Sequence, residues 1–373
     1  MPSIRPPGAS RRQYILRQRE ECGRRSLAVL PIHYPKEILT ALDILAVELW
    51  GPPGPPRGDA AGRLQTYVCA VVRNALAFLD SGGADAVDGV LFPHTCDSLQ
   101  GLATLAPDFG GWGKKAFVFQ HCRGADRPSA RAFQKAELRS LAAGLESWTD
   151  RELTAGRLNW ALRLHEEIDA CRAALLDGRD RLPLGDRELY ALLRRGEWLW
   201  PEDHLAELRQ AEGRLAACPV QGGLPILVTG YVPEPAALLD ALNQAGLYLG
   251  ADDYAAVGRR VARGSAGANA DPWDRVLDRS FSHPPCPTQG SDQGFRLRYL
   301  DSLARAAGAR GVLVHVQKFC EPELFDVPAI RAAFAPRLPL LVLEGELELE
   351  LPAQAATRLE AFAEMLHARG RAA

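Results

Sequence analysis

Two stretches far apart in the chain carry nearly the same pattern, and this internal repeat constrains the fold more than any other feature. Gly89-Val90-Leu91-Phe92-Pro93-His94-Thr95-Cys96-Asp97-Ser98-Leu99 and Gly311-Val312-Leu313-Val314-His315-Val316-Gln317-Lys318-Phe319-Cys320-Glu321 each read as a buried strand, a turn holding a cysteine, and an acidic residue. A second pair matches too. The segments beginning Leu30-Pro31-Ile32-His33-Tyr34-Pro35 and Leu227-Val228-Thr229-Gly230-Tyr231-Val232-Pro233 share a strand, a tyrosine turn, a proline and a following helix with an apolar face. A long unit present twice predicts two similar domains facing each other, and not a solenoid, which needs at least about three stacked repeats. Open α/β sheets bind ligands beyond the carboxyl ends of their strands, so Cys96 and Cys320, one from each half, are placed to converge on one object in the cleft.

Apolar runs of strand length fall at Ser26 to Ile32, Gly89 to Pro93, Ala116 to Gln120, Pro225 to Tyr231, Gly311 to Val316 and Pro339 to Glu344. Helical periodicity fills the intervals, the pattern of parallel sheets covered on both faces. The expected fold is α/β: two pseudo-duplicated, Rossmann- or flavodoxin-like parallel-sheet domains with a helical insert between them. The boundaries expected are an N-terminal arm over 1–25, a first α/β domain over 26–128, a helical domain over 129–222 and a second α/β domain over 223–373. In the insert, Thr154 is read as the N-cap of a helix carrying Leu158, Leu162, Ile168 and Leu175. The last segment, Ala353 to Arg369, is an amphipathic helix with Leu359, Phe362, Ala363 and Leu366 on one face. Ile38 to Leu49 reads as a further amphipathic helix, available to an interface or to the core, and Gly51-Pro52-Pro53-Gly54-Pro55-Pro56-Arg57-Gly58 as a rigid surface loop.

A net charge of -2 with interspersed signs argues against a nucleic-acid surface. No apolar stretch approaches the roughly 20 residues of a membrane span, and no signal-peptide core follows the Arg-rich start, so a cytoplasmic protein without membrane contact is expected. The eight cysteines include no C-x-x-C pair, so buried thiols or metal ligands are expected in place of disulfides or a redox dithiol. There is no G-x-x-x-x-G-K-[ST], no G-x-G-x-x-G and no G-x-S-x-G; any ATP hydrolysis belongs to a partner, and a serine-hydrolase reading is weak.

Cys69, Cys96 and Cys320 are the candidate ligands. Iron-sulfur clusters are usually held by four thiolates, so three would leave one iron able to take water or a substrate oxygen. Any one of them, taken alone, equally reads as a small buried hydrophobe. Cys122, after the strand Ala116 to Gln120, is the reserve ligand; Cys171 lies within a helix as packing, and Cys22, Cys218 and Cys286 have no matching repeat position. His33, His94 and His121 all follow strands and suit acid-base or oxygen-positioning work, or simply turn hydrogen bonding. Arg73 and Lys318 lie beside candidate ligands, where they would offset cluster charge or orient an anionic substrate, unless they are solvated surface groups. The catalytic candidates are therefore His33, His94 and Lys318.

With these residues in hand, the chain resembles the iron-sulfur subunits of the 2-hydroxyacyl-CoA dehydratase and benzoyl-CoA reductase family. The resemblance runs from Leu30 to Leu366 and rests on His94-Thr95-Cys96-Asp97-Ser98, Lys318-Phe319-Cys320-Glu321-Pro322-Glu323-Leu324-Phe325-Asp326 and Thr357-Arg358-Leu359-Glu360-Ala361-Phe362-Ala363-Glu364-Met365-Leu366, with support from Tyr34-Pro35-Lys36-Glu37 and Asp252-Asp253-Tyr254. It implies a [4Fe-4S] cluster held by Cys69, Cys96 and Cys320, a paralogous second subunit in a heterodimer or else a homodimer, and a separate ATP-hydrolysing iron-sulfur activator protein. It also implies an acyl-CoA substrate, whose thioester carbonyl takes up one low-potential electron so that a poor hydroxyl leaving group departs or an aromatic ring is reduced. Many members carry a cysteine in the turn after the first strand, where this chain has Ile32-His33-Tyr34-Pro35; that weakens the likeness to double-cubane reductases of small molecules. A non-catalytic partner subunit that contributes only interface is the remaining alternative.

Overall fold

The computed structural model describes residues 10–56, 62–109, 114–263 and 271–372. The N-terminal half runs α1 (Arg11–Cys22), β1 (Arg25–Val29), α2 (Lys36–Ala41), β2 (Ile44–Glu48), α3 (Ala70–Asp80), β3 (Gly89–His94), α4 (Asp97–Phe109) and β4 (Lys115–Gln120). Four helices follow: α5 (Pro128–Thr149), α6 (Ala155–Asp177), α7 (Asp186–Arg194) and α8 (Pro201–Glu212). The C-terminal half comprises β5 (Leu224–Gly230), α9 (Ala237–Gln244), β6 (Leu247–Tyr254), α10 (Pro272–Ser282), α11 (Gln293–Ala306), β7 (Gly311–Gln317), α12 (Glu321–Phe334), β8 (Leu340–Gly345) and α13 (Ala353–Ala372).

Each half builds one four-stranded, all-parallel sheet, in the orders β2-β1-β3-β4 and β6-β5-β7-β8. The same order twice is the structural form of the repeat. In each sheet the chain reverses direction of travel at the central pair, β1 with β3 and β5 with β7, and the crevice beyond such a switch point is where doubly wound sheets bind ligands. The inner strands β1, β3, β5 and β7 are apolar along most of their length because helices cover both faces, whereas the edge strands β4 and β8 bury only part of theirs. Leu27, Val29, Leu91, Phe117 and Phe119 pack with residues of α2, α5, α6 and α10, while Ala28, Val90 and Phe92 join the larger core that runs under α1, α3 and α4. Leu227, Val312, Val314 and Val316 likewise face α11 and α12.

Local signals in the sequence set several boundaries. Thr154 caps α6, its hydroxyl accepting the Arg157 N–H at 3.3 Å. The C-terminal helix buries Leu359, Phe362, Ala363 and Leu366 as expected. Residues 129–218 contain helices and no strand among those described. The first 25 residues, apart from 1–9 which lie outside the described part, contain α1, tied down by Tyr14: its hydroxyl donates to Asp203 at 2.6 Å and accepts the Trp200 N–H at 3.0 Å. Gly51 to Pro56 is neither helix nor strand, while Arg57 and Gly58 lie outside the described residues.

The expected helix over Ile38 to Leu49 is corrected. The chain is helical only to Ala41, turns left-handed at Asp43 (φ 52°), and then runs as β2 alongside β1. Arg151 holds the Asp43 carboxylate at 2.8 Å, and the run Ile44-Leu45-Ala46-Val47 then suits a pleated, buried edge. β6 is the other strand missing from the sequence expectation; its Gly250 and paired aspartates break a simple apolar run, yet it pairs along β5 with one irregularity at Ile226/Leu227. Gly230, where β5 ends, is required by crowding: a Cβ there would sit 1.9 Å from the His315 carbonyl oxygen.

The Asp252 carboxylate is buried and accepts N–H bonds from Tyr254 at 2.6 Å and Gly258 at 3.3 Å, with Tyr190 on its second oxygen. Burial, above all, pushes its pKa up to about 7. The folded chain therefore holds a proton that the unfolded chain, with a carboxyl near 4, releases between about pH 4 and 7, so this group's stabilisation is complete below that window and lost as pH rises through about 7. Asp252→Asn, which mimics the protonated form, is expected to gain stability relative to wild type by about 1–3 kcal/mol on going from pH 5 to pH 8, read from urea unfolding at both pH values.

Candidate functional site

Three cysteines from separate elements line one cavity of about 280 Å³ at the facing switch points: Cys69, Cys96 and Cys320. Each stands at the start of a helix. Cys69 is the N-cap of α3 and Cys320 of α12, while Cys96 directly precedes α4. The first-turn N–H groups of Val71 and Val72 lie near the Cys69 sulfur and those of Ser98 and Leu99 near Cys96, where they pull the thiol pKa down against burial; the Glu323 N–H is bonded to the Cys320 carbonyl at 3.1 Å. At Cys69 and Cys96 these are donors that a helix leaves unpaired in its first turn, at the positive end of its dipole. Three helix N-termini thus converge on three sulfurs around one space, an arrangement matched to anionic sulfur.

Burial pushes all three thiols up, Cys96 to about 11 and Cys320 well above its usual value. Protonated thiols in the free protein would have to give up their protons to a cation, so binding releases acid. Among the described residues no three His, Cys, Asp or Glu side chains are gathered closely enough to chelate a single metal ion. A polynuclear cluster, which takes one sulfur per iron, asks for ligands spread more widely.

The rest of the wall mixes buried and exposed groups, polar and apolar. Tyr231, at the end of β5, is buried with its phenol pKa raised by burial first and then by Cys96, Cys320 and Cys69, and its ring meets Trp50 edge-on at 5.4 Å. Thr288 lines the wall as a buried residue, while Arg123, 3.6 Å from Asp97, is exposed and Phe319 and Phe325 stand at the mouth 41% and 73% exposed. Phe319 adopts φ 62°, a left-handed conformation uncommon for a non-glycine residue, which lifts its ring out of the turn that presents Cys320.

Behind Cys320 lies a buried ionic network. Arg259, 1% exposed, donates through Nε to Asp253 at 3.1 Å and through Nη2 to Glu323 at 3.0 Å. Asp253 also accepts from Arg296 at 2.8 Å and from the Thr229 hydroxyl at 2.6 Å. Cys286, fully buried, has its sulfur 3.0 Å from the Thr288 hydroxyl and 3.7 Å from Arg259 Nη1. The network pins the first turn of α12 to β5 and β6 and so fixes Cys320.

The other candidates lie outside the cavity wall. Lys318 is exposed at the end of β7. Arg73 pairs with Glu346 at 2.6 Å. His94 pairs through Nδ1 with Gln120, leaving Nε2 buried without a partner. Cys122 faces a different pocket, where its N–H donates to Gln134 at 2.8 Å. His33 lies in a second chamber with His121 and His283, their ring centroids 5.7 and 6.4 Å from its own. Burial foremost holds all three imidazoles below their usual pKa, His121 at about 3. Sequence reading missed Tyr231 as a cavity residue, although the tyrosine turn was visible in the repeat; it missed Cys286, Arg259 and Glu323 because nothing local marks a buried ion pair.

Two doubly wound sheets whose switch points face each other across a thiol-lined cleft make a duplicated α/β architecture, and its relatives place it among enzyme subunits of dehydratase or reductase type. The family follows from comparison. The model of the 2-hydroxyglutaryl-CoA dehydratase D-component family matches residues 31–366, and the chain belongs to that family. It is 25% identical to the lactoyl-CoA dehydratase subunit beta of Anaerotignum propionicum over 93% of each chain. It is 23% identical to the (R)-2-hydroxyglutaryl-CoA dehydratase subunit beta of Acidaminococcus fermentans over 92% of this chain and 93% of that one. With a benzoyl-CoA reductase subunit of Thauera aromatica it shares 27% identity over 82% of this chain and 81% of the other. No helix among the described residues is long and apolar enough to cross a membrane.

The Glu323 carboxylate is the second partner of a buried guanidinium. Glu323→Leu leaves Arg259 short of a counter-charge and is expected to cost about 3–5 kcal/mol of unfolding free energy, measured in urea, where Glu321→Leu on the exposed side of the same turn costs less than about 1.

Proposed function

We propose that this chain is a subunit of an enzyme acting on acyl-CoA thioesters, in the manner of the 2-hydroxyacyl-CoA dehydratases and benzoyl-CoA reductases, and that Cys69, Cys96 and Cys320 hold a [4Fe-4S] cluster. The observation that carries the proposal is the convergence of these three thiols, each at the start of a helix, on one cavity. Such a cluster supplies one-electron transfer at a potential set by its charge, its hydrogen bonds and its exposure to solvent. The residues of this chain do the rest. The N–H groups of Val71 and Val72 near Cys69 and of Ser98 and Leu99 near Cys96 favour the thiolate form of those sulfurs. The rings of Tyr231, Phe319 and Phe325 limit water at the wall and mouth, which strengthens every electrostatic interaction inside.

The relatives named as beta subunits support a paralogous partner subunit, and a low-potential electron supports an activator that couples its delivery to ATP, since this chain carries no nucleotide-binding motif of its own. A cytoplasmic location accords with oxygen-sensitive cofactor chemistry. The exposed Phe319 and Phe325 at the mouth suit contact with either protein.

The test is iron and acid-labile sulfide per chain, with EPR, on protein purified without oxygen. About four irons and four sulfides per chain are expected in wild type, falling to about half or less in Cys96→Ser. Iron-free wild-type protein under these conditions, or equal iron in the variant, overturns the assignment. A loaded protein then goes to an activator-dependent assay with 2-hydroxyacyl-CoA esters and benzoyl-CoA.

A further inference from the structure

The chamber that holds His33 is built from parts of both halves and the insert, and the thiol cavity shares none of its lining residues. Beyond Val29 the chain turns through Ile32 and His33 in consecutive left-handed conformations, φ 71° and 58°. This turn carries His33 into the chamber against His121, from the end of β4, and His283, from the end of α10. The volume is about 50 Å³. That suffices for a few waters or for a group of about four heavy atoms, at roughly 10–15 Å³ per water-sized occupant.

Three buried nitrogens around it have no partner. The Nε2 of His33 and of His121 and the Nε of Arg172 are inaccessible to solvent and make no hydrogen bond. Buried polar groups are nearly always paired, and each exception asks for an occupant. Lys36 is only loosely held, its Nζ 3.8 Å from Glu48. The charges also fail to balance. Arg260 pairs with Glu48 at 2.7 Å, and Arg279 pairs with both Glu37 and Asp169. Arg172 also stands 3.9 Å from Asp169. Four basic side chains, Lys36, Arg172, Arg260 and Arg279, thus meet three carboxylates, with the imidazoles neutral and burial bringing the Lys36 pKa down to about 7. An anion beside Lys36 would favour its protonated form and so find one positive charge to match.

His121, Ser280, His283 and Gln289 also border a vestibule of about 400 Å³, whose far side is formed by Phe281, Pro285 and Phe295. A small polar end rich in basic groups adjoins a larger, partly apolar space across these four shared residues. We propose that the chamber binds the carboxylate of a small organic acid, with Arg172, Lys36 and the two imidazoles on its oxygens and the carbon chain in the vestibule. A halide would leave the vestibule empty, and a phosphate dianion exceeds both the volume and the unmatched charge.

The proposal does not depend on the cluster assignment, and its test separates the two. Isothermal titration calorimetry of the anaerobically purified protein, in buffer free of other carboxylates, uses sodium propionate and sodium benzoate, with sodium phosphate and sodium chloride as controls. Saturable binding of a carboxylate, one per chain and in about the millimolar range, is expected, weakened at least about tenfold in Arg172→Met. His121→Phe, at the border of chamber and vestibule, gives the same weakening should the arginine variant not fold. Iron content is expected to be equal in wild type and His121→Phe, because the thiol cavity is separate. No saturable carboxylate binding up to about 50 mM, equal binding by chloride or phosphate, or unchanged affinity in the folded variants overturns the proposal.

Discussion

The placement of Cys320 rests on one buried guanidinium. Arg259 lies between Asp253 on β6 and Glu323 on α12, and both carboxylates are reached only because β5, β6 and the start of α12 already stand in register. A charge buried this deeply tolerates few geometries, since each lost bond leaves an ion without water or partner. Arg296 and Thr229 share Asp253 and extend the same constraint to α11 and β5. The turn that carries Cys320 is therefore stiffened from behind, where Cys69 and Cys96 rely on apolar packing of α3 and α4. The sulfur that comes from the C-terminal half is the one secured ionically.

The two halves share a topology, yet they are not copies. Gly89 pairs with Leu27 and Gly311 with Ile226, which fixes the structural register between them. By that register Tyr231 stands where the first half has Ile32, and the two tyrosines that match in sequence do different work. Tyr34 gives its hydroxyl to Glu48 at 2.7 Å under the histidine chamber, and Tyr231 faces the thiols. Cys320 also lies two positions further from Gly311 than Cys96 does from Gly89. Divergence in the turns, above strands that still match, has given the facing switch points unlike linings.

Much of this was legible in advance because strands buried on both faces write themselves as continuous apolar runs. β1, β3, β4, β5, β7 and β8 all show in that way, and with them the duplicated sheet and the strand-turn-cysteine units. The outer strands β2 and β6 did not. β2 follows a helix after only two residues, and its apolar run fits either period until Asp43 is seen turned left-handed; β6 spends its last residues on aspartates that serve the buried network. The three thiols were readable as a set from the repeat and the family resemblance. The histidine chamber was only half readable: His33 and His121 stood out at strand ends, but Lys36, Arg172, Arg260 and Arg279 come together from four distant segments by packing alone, and spacing along a chain carries no trace of such a meeting.

The path of α10 bears on how the two halves can move. This helix belongs in sequence to the second half, yet it packs on α5 and α6 against the first sheet, where Arg279 is held by Glu37 and Asp169. The chain thus passes from the first half to the second, returns, and crosses again, so the halves are laced together and do not meet along one seam. Parting α10 from the first sheet would strand the charges of Arg279, Glu37 and Asp169 without water or partner, so in any motion of one half against the other this helix travels with the half that precedes it in sequence.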